Sequence, residues 1–520
     1  MPDGEEIELK FEIDPAALER LEQKLILRAR AKTAAAPQTL TSVYYDTPDR
    51  KLQKAGFTLR VRDDGAGRVQ TVKAEAEGLS GRGEWEIELK SAEPDLQAAA
   101  RTPLGPVLKA IGGSLGPVFV TRVERTRHLI RQGRSRIEAA VDRGQVEAGG
   151  RTVPLCELEL ELKAGDAGAL YDLARKLCEG APLRLSFDTK AARGYRLWQG
   201  QAVGEALKGG KLRLKPGMSC RQAFQAIGSA ALRQAVGNAA VLRAARRPEA
   251  LHQMRVGLRR LRSALKLFEA VIADDAYPRL DGELKWLTGE LDQGRDIDVL
   301  IQETFRPAAR RFPDQAGLAA LGERLLKART RAYDRVLATL DTPRYLTLAL
   351  DLAAWIENGR WAQAGEALFA PRADAPVQGL ADDGLDALRR QVGKRGKALK
   401  RLDPASRHKL RIRAKRLRYA LEFFDGLYPG RKDRRDAFLE TLRALQDDLG
   451  ALNDVYVARA KGLALAEGGG RAAGDSETEG AQQAFAAGLV VGARTVDEAA
   501  LLDRAADHYD ALMDAKRFWK

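Results

Sequence analysis

Four segments in the first two hundred residues alternate charged and apolar side chains, and the charges are sorted by sign. Successive side chains of a strand point to opposite faces. Glu6, Glu8, Lys10 and Glu12 therefore share one face, with Ile7, Leu9, Phe11 and Ile13 on the other. Arg60 and Arg62 stand against Phe57, Leu59 and Val61, and Glu84, Glu86, Glu88 and Lys90 against Trp85, Ile87 and Leu89. Glu157, Glu159, Glu161 and Lys163 stand against Leu158, Leu160 and Leu162. A solvated sheet face accounts for any one of these strands. It does not account for the set, because every apolar face must also be covered. Helices outside a closed barrel would cover them and leave the charges inward. An inward ring of carboxylates repels itself unless cations occupy it, and carboxylate oxygens with room for water suit Mg²⁺ or Mn²⁺. Arg60, Arg62 and Lys73 on other walls would complement a polyanion that the metal also grips. Phosphoanhydride hydrolysis is the chemistry such a lining serves.

A chain of 520 residues exceeds a single core, so two or more domains are expected. The strand period is clearest over 6–13, 57–62, 83–90 and 153–163, with helical stretches starting near Pro15, Pro94 and Asp166. From about Met218 it gives way to long 3.6-residue periods rich in Ala, Leu and Arg, which read as all-α. The Gly-rich stretch from Gly200 to Met218 marks the boundary, and a second one, Glu467 to Gln483, reads as a loop between helices. Residues 1–200 hold 32 Lys and Arg against 30 Asp and Glu, and the remainder holds 55 against 42, so nearly all of the +15 net charge belongs to the helical part. Anionic partners are expected there. Cys156, Cys178 and Cys220 fit neither a disulfide framework nor a zinc site, and a reducing cytoplasm suits them. With no long apolar run and an opening Met-Pro-Asp-Gly-Glu-Glu, neither a membrane span nor a signal peptide is expected.

The helical part contains a duplication. Residues 251–269 and 407–425, offset by 156, share His252/His408, Arg255/Arg411, Arg260/Arg416, Leu261/Leu417, Arg262/Arg418, Ala264/Ala420, Leu265/Leu421 and Phe268/Phe424. A weaker echo relates Leu291–Asp296 to Leu449–Asp454, with Asn453 in place of Arg295. On a helix Met254, Leu258, Leu261, Leu265 and Phe268 form a core stripe, while His252, Arg255, Arg259, Arg262 and Lys266 form a cationic row. His408, Arg411, Lys415 and Arg418 repeat that row. Like charges at this spacing repel by a few tenths of a kcal/mol per pair, so two such rows suggest a bound anion.

The first part resembles the CYTH domains, also called triphosphate tunnel metalloenzymes. The resemblance rests on Glu6-Ile7-Glu8-Leu9-Lys10, Tyr44-Tyr45-Asp46-Thr47, Gly56 to Arg62, Thr71-Val72-Lys73, Ala140 to Gly144, the Glu157-x-Glu159-x-Glu161 strand, and Lys190 ahead of Arg193-Gly194-Tyr195. It spans residues 3–198 and implies an α+β fold whose eight-stranded antiparallel β-barrel forms a tunnel. What it further implies is divalent-metal-dependent hydrolysis of triphosphates by in-line displacement, with Mg²⁺ or Mn²⁺ as cofactor. Carried over, Glu6, Glu8, Glu157, Glu159 and Glu161 are the metal carboxylates, and Lys10, Arg60, Arg62, Lys73, Arg125 and Lys190 the substrate contacts. Glu6, Glu8, Lys10 and Lys73 carry the catalytic role. Arg127 and Glu86 also point inward by parity, Asp142 would orient an arginine or bind metal, and His128 falls on the barrel's exterior.

The second part resembles the CHAD domain, through the two His-x-x-Arg helices and Leu291-x-x-x-Arg295-Asp296-x-Asp298. It implies an all-α domain of two duplicated four-helix bundles over 218–517, repeats near 218–370 and 380–517, joined through a 199–217 linker. It also implies inorganic polyphosphate binding, assigned here to His252, Arg255, Arg259, Arg262, His408, Arg411, Lys415 and Arg418, and residence on polyphosphate granules in the cytoplasm. The expected activity is hydrolysis of inorganic triphosphate, tripolyphosphate yielding pyrophosphate and phosphate. Thiamine-triphosphate or nucleotide triphosphatase activity, adenylate cyclisation, and a catalytically weak polyphosphate-binding protein stay open as alternatives. The few aromatics of the helical part argue against nucleic acid as a partner.

Overall fold

The computed structural model describes the chain except residues 1–4, 30–35, 75–77, 80, 112–114, 180, 202–203, 211, 213, 364, 468–487 and 489–497. The polar segment read as a loop at 467–483 lies, beyond Glu467, outside the described residues. Contacts divide the chain into two compact units. One comprises residues 1–209, 228–257 and 340–363, the other 210–227, 258–339 and 364–520.

Among the described residues the first unit is built on nine antiparallel strands: β1 (Glu5–Ile13), β2 (Gln38–Asp46), β3 (Phe57–Asp63), β4 (Arg68–Ala74), β5 (Gly81–Leu89), β6 (Gly116–Gln132), β7 (Ser135–Ala148), β8 (Arg151–Ala164) and β9 (Leu183–Ser186). Their order is β5-β4-β3-β2-β6-β7-β8-β1-β9. On one edge β1 pairs with β8. On its other edge it meets β5 over three residue pairs at Glu5–Ile7, then β9 from Lys10 to Ile13. Eight strands thus wrap a tunnel whose seam carries few hydrogen bonds, and β9, which the alternation did not reveal, extends the seam.

The outward faces carry the apolar residues. Leu9, Phe11, Leu158, Leu160 and Leu162 are buried there beneath helices Gly168–Cys178, which packs on β8 and β1, and Lys190–Trp198, which packs on β6, β7 and β8. Helix Leu18–Ala29 lies against β6. Two glycines of the recognised motifs are steric requirements. A Cβ at Gly194 would sit 2.1 Å from the Phe119 ring, and one at Gly144 2.0 Å from the Arg122 carbonyl oxygen; only Gly lets the helix and β7 approach β6 so closely. His128 falls on the outward face as expected but is 3% exposed, and burial lowers its pKa.

The helical part follows the duplication. Helices Pro248–Leu267 and Pro404–Phe423 begin and end 156 residues apart, the offset of the repeat. In the second copy Val377–Gly396, Pro404–Phe423, Lys432–Glu467 and Glu498–Asp514 pack on one another in sequence order. The corresponding helices of the first copy are Cys220–Ala245, Pro248–Leu267, Tyr277–Val299 and Ala316–Leu340, followed by Pro343–Asn358. The core stripe of each repeat is buried: Leu258, Leu261, Leu265 and Phe268 in one, Leu410, Ala414, Leu417, Leu421 and Phe424 in the other. Asp298 is also structural, 1% exposed and bonded by Arg329 at 2.7 Å and Tyr333 at 2.6 Å. No described helix is long and apolar enough to cross a membrane.

Candidate active site and anion-binding helices

Alternation along β1, β3, β4, β6 and β8 brings the charged side chains to one cavity of about 480 Å³. Glu6, Glu8, Lys10, Arg60, Arg62, Lys73, Arg125, Glu159 and Lys190 all line it. Within this wall acids and bases are interleaved. Lys10 lies 2.9 Å from Glu159, 3.7 Å from Glu157 and 3.8 Å from Glu8. Lys190 bonds Glu159 at 2.9 Å and Asp142 at 2.7 Å, and Glu157 as well. Arg125 holds Asp142 in a two-pronged bond of 2.6 Å each and reaches Glu159 at 2.5 Å. The carboxylates of this wall therefore have lysine and arginine partners of the protein's own. Burial pushes Glu159 up, but Lys10, Lys190 and Arg125 outweigh it and hold the carboxyl well below its usual range. Burial likewise lowers Lys190 until Asp142, Glu157 and Glu159 raise it far above an ordinary lysine.

The two arginines of β3 differ. Arg60 meets the Tyr44 hydroxyl at 3.5 Å and Glu84 at 3.7 Å. Among the described residues Arg62 has no carboxylate within ion-pairing distance; the like charge of Arg60, then burial and Arg125, lower its pKa to about 10. Such a cation is ready for an anion.

Asp142, Glu157 and Glu159 bring carboxylate oxygens within 4.8 Å of one another, the spacing of a cation site. Lys190 and Arg125 already fill that cluster, and Asp142 and Glu157 are fully buried and do not line the cavity. Glu161 is also outside the lining and pairs with Lys163 at 2.6 Å. Among the described residues the carboxylates that line the cavity are Glu6, Glu8 and Glu159; Glu157 and Glu161, also expected to hold metal, do not line it. Glu86 accepts from Thr71 at 3.3 Å, and Arg127 lies 3.8 Å from Glu138; neither lines the cavity.

Several side chains that support the site were given no site role by the sequence. Asp46, 1% exposed, accepts from Thr47 N, Leu52 N, Gln53 N and the Tyr195 hydroxyl at 2.7 to 3.0 Å. It thereby ties the turn after β2 to the helix that presents Lys190. Glu84 meets Lys73 at 3.0 Å beside Glu6, and Lys73 bonds Glu6 at 2.7 Å. Burial, with Glu6 adding to it, raises the Glu84 pKa to about 7 against the pull of Lys73. Its place in a sorted strand was the available signal.

Comparison with known proteins decides the family. A family model described as "CYTH domain" matches residues 4–195, and one described as "CHAD domain" matches 226–461. The chain carries a CYTH domain followed by a CHAD domain. A Haemophilus influenzae protein named inorganic triphosphatase is 35% identical over 199 residues, 37% of this chain and 55% of that relative. An uncharacterised Mycobacterium tuberculosis protein is 26% identical over 447 residues, 80% of this chain and 81% of its own. The crystal structure of the CHAD domain from the plant Ricinus communis is similar with a TM-score of 0.50 and 33% identity, covering 60% of this chain and 98% of that one.

In the CHAD region the duplicated helices bring like charges together. Arg259 from one copy acts on Arg411 and Lys415 of the other, and with burial as the first cause it lowers the pKa of both. Lys415, also repelled by Arg411 and Arg418 and only partly relieved by Asp454, is pushed down to about 7. The Nε atoms of Arg259, Arg262, Arg411 and Arg418 are buried without a hydrogen-bond partner. A buried donor left this way costs about 1–3 kcal/mol. Some relief comes from acids: Arg262 lies 3.7 Å from Asp281 and Arg418 3.6 Å from Glu422. His252 and Arg255 fall in the stretch grouped with the strands. His408 bonds Asn453 at 2.8 Å, so the residue that departs from the repeat orients the histidine of its own copy.

Proposed function

We propose that the CYTH cavity hydrolyses inorganic triphosphate with a divalent cation, and that the CHAD domain binds inorganic polyphosphate through its paired cationic helices. The supporting observation for the first part is the charge of the cavity wall. Lys10, Arg60, Arg62, Lys73, Arg125, Lys190 and Arg233 line it against Glu6, Glu8 and Glu159, an excess that suits a polyanion bringing its own metal. The CYTH match and the similarity to an inorganic triphosphatase point the same way. Glu6, Glu8 and Glu159 would hold Mg²⁺ or Mn²⁺, which when bound withdraws charge from the phosphoryl oxygens. Lys10, Arg62, Arg125 and Lys190 bind and orient the chain and spread the charge that develops on the transferred phosphoryl group. The burial of Lys10 and Lys190 strengthens their contacts.

For the second part the support is the like charge that the two copies bring together, Arg259 against Arg411 and Lys415, with the Nε atoms of Arg259, Arg262, Arg411 and Arg418 buried and unbonded. Phosphate oxygens along a chain match that pattern, and each contact would relieve repulsion as well as satisfy a donor.

The test is phosphate release from tripolyphosphate by the full chain with Mg²⁺, with Mn²⁺ and with excess chelator, alongside ATP and thiamine triphosphate. The parent is expected to be active only with metal, and Glu8→Gln to lose orders of magnitude in kcat while keeping its melting temperature. Full activity in chelator would refute the metal assignment.

A further inference from the structure

Arg233 lines the tunnel cavity, yet it belongs to helix Cys220–Ala245 and lies in the stretch matched by the CHAD model rather than the CYTH model. By its contacts the segment 228–257 is part of the compact unit that contains the strands. Its guanidinium Nη2 donates to the carbonyl oxygen of Gly78, in the connection from β4 to β5. That connection has a second tie, since Leu79 N donates to Glu357 Oε1 at 2.5 Å and Glu357 Oε2 accepts from Tyr171 at 2.7 Å. Glu357 does not line the cavity.

The position of Arg233 along the tunnel follows from the register. Phe57 and Ala74 are the terminal pair of the β3–β4 ladder, next to Thr58 and Lys73, and all four line the cavity with Gln53 and Gly56. Gly78 lies just beyond Ala74, so Arg233 enters at this end. Arg62 stands towards the opposite end of β3, across from Val69, and Arg125 is next to it in charge. The cavity therefore has cations at both ends of its β3 wall.

We propose that Arg233 is a substrate-binding residue that grips the end of the triphosphate remote from the transferred phosphoryl group, and so favours a bare phosphate there, as in tripolyphosphate, over an esterified one, as in ATP. This rests on the reading of the cavity as an inorganic-triphosphate site. A guanidinium is a planar fork of five donors that matches phosphate in two-pronged geometry, wide enough to keep the Gly78 carbonyl and hold an anion. A terminal phosphate offers three non-bridging oxygens and close to two charges near neutral pH. An esterified phosphate gives up one oxygen and part of that charge to an organic group, so it would gain less from the same fork.

The experiment uses the full chain. Tripolyphosphate and ATP binding are measured by calorimetry, and kcat and KM for both with Mg²⁺, in the parent, Arg233→Ala, Arg233→Lys and Glu357→Ala. Binding to the helical domain is common to all four proteins and cancels in the differences. Arg233→Ala is expected to weaken tripolyphosphate binding and raise its KM by about tenfold to a hundredfold, as loss of a charge-assisted hydrogen bond does. ATP should change by less than about threefold on the same scale. Arg233→Lys should restore part of the loss, and Glu357→Ala should lower the melting temperature while leaving the tripolyphosphate-to-ATP ratio unchanged. The inference is overturned if Arg233→Ala keeps the parent's tripolyphosphate affinity, if both ligands lose equally, or if Glu357→Ala reproduces the effect, which would make Arg233 a loop anchor. A parent that binds but does not cleave tripolyphosphate would sink the hydrolase reading, and the binding differences would still decide the role of Arg233.

Discussion

Replacing Lys415 by methionine tests the cationic helices through a proton. Burial and the charges of Arg411, Arg259 and Arg418 bring the Lys415 pKa from 10.5 to about 7, with Asp454 the opposing acid. Between those values the unfolded chain binds the proton and the folded chain does not, so this lysine makes stability rise with pH across about 7 to 10.5, by up to about 1.4 kcal/mol per unit before solvent screening. Below pH 7 both states are charged and the cost of the buried ammonium is present in full. Lys415→Met should therefore be more stable than the parent at pH 6, with the gap closing towards pH 10. Bound polyphosphate reverses the sign: its oxygens favour the ammonium and return the pKa towards an ordinary lysine. At pH 8.5 a group with a pKa near 7 is roughly 3% charged, so binding should draw in close to one proton, and affinity should fall by up to about tenfold per pH unit above 7. Calorimetry of long-chain polyphosphate in buffers of differing ionisation enthalpy reads the uptake directly. Equal proton uptake by parent and Lys415→Met at pH 8.5, or none in either, would refute the reasoning.

The β3 and β6 arginines should separate binding from stability. Arg62→Ala removes a cation compressed by Arg60 and should raise KM for tripolyphosphate with little change in melting temperature. Arg125→Ala leaves Asp142 and Glu159 without their closest guanidinium and should both raise KM and lower stability, the latter by roughly 3–5 kcal/mol; equal melting losses would mean that the two arginines play one role. Leu261, fully buried in the repeat, should cost roughly 2–5 kcal/mol as alanine while the folded fraction binds polyphosphate normally. Arg411→Glu with Lys415→Glu should instead abolish tight binding and flatten its salt dependence; polyphosphate affinity equal to the parent's at low salt would show that these rows are not the site.

The sequence by itself determined the antiparallel strand domain followed by a helical one, because a period of two with sorted charges, and then a period of 3.6 with a duplicated stripe, each have few ways to bury their apolar face. Strand parity also sent Glu6, Glu8, Lys10, Arg60, Arg62, Lys73 and Glu159 to one side, and the resemblance to the CYTH domains added Arg125 and Lys190, the latter on a helix that no strand pattern places. Tertiary structure decided how those charges are partnered. Parity does not say that Lys190 and Arg125 satisfy Asp142 and Glu157, that Glu161 turns to Lys163, or that Arg62 is left with repulsion while Arg60 finds Tyr44. Nor does any local pattern say that Arg259 of one repeat depresses Lys415 of the other, or that Arg233, far along the chain in a helix, lines a tunnel made of strands. Periodicity reports the environment of one element at a time, whereas ion pairing and cavity walls depend on distances between elements remote in sequence, and those exist only once the chain has folded.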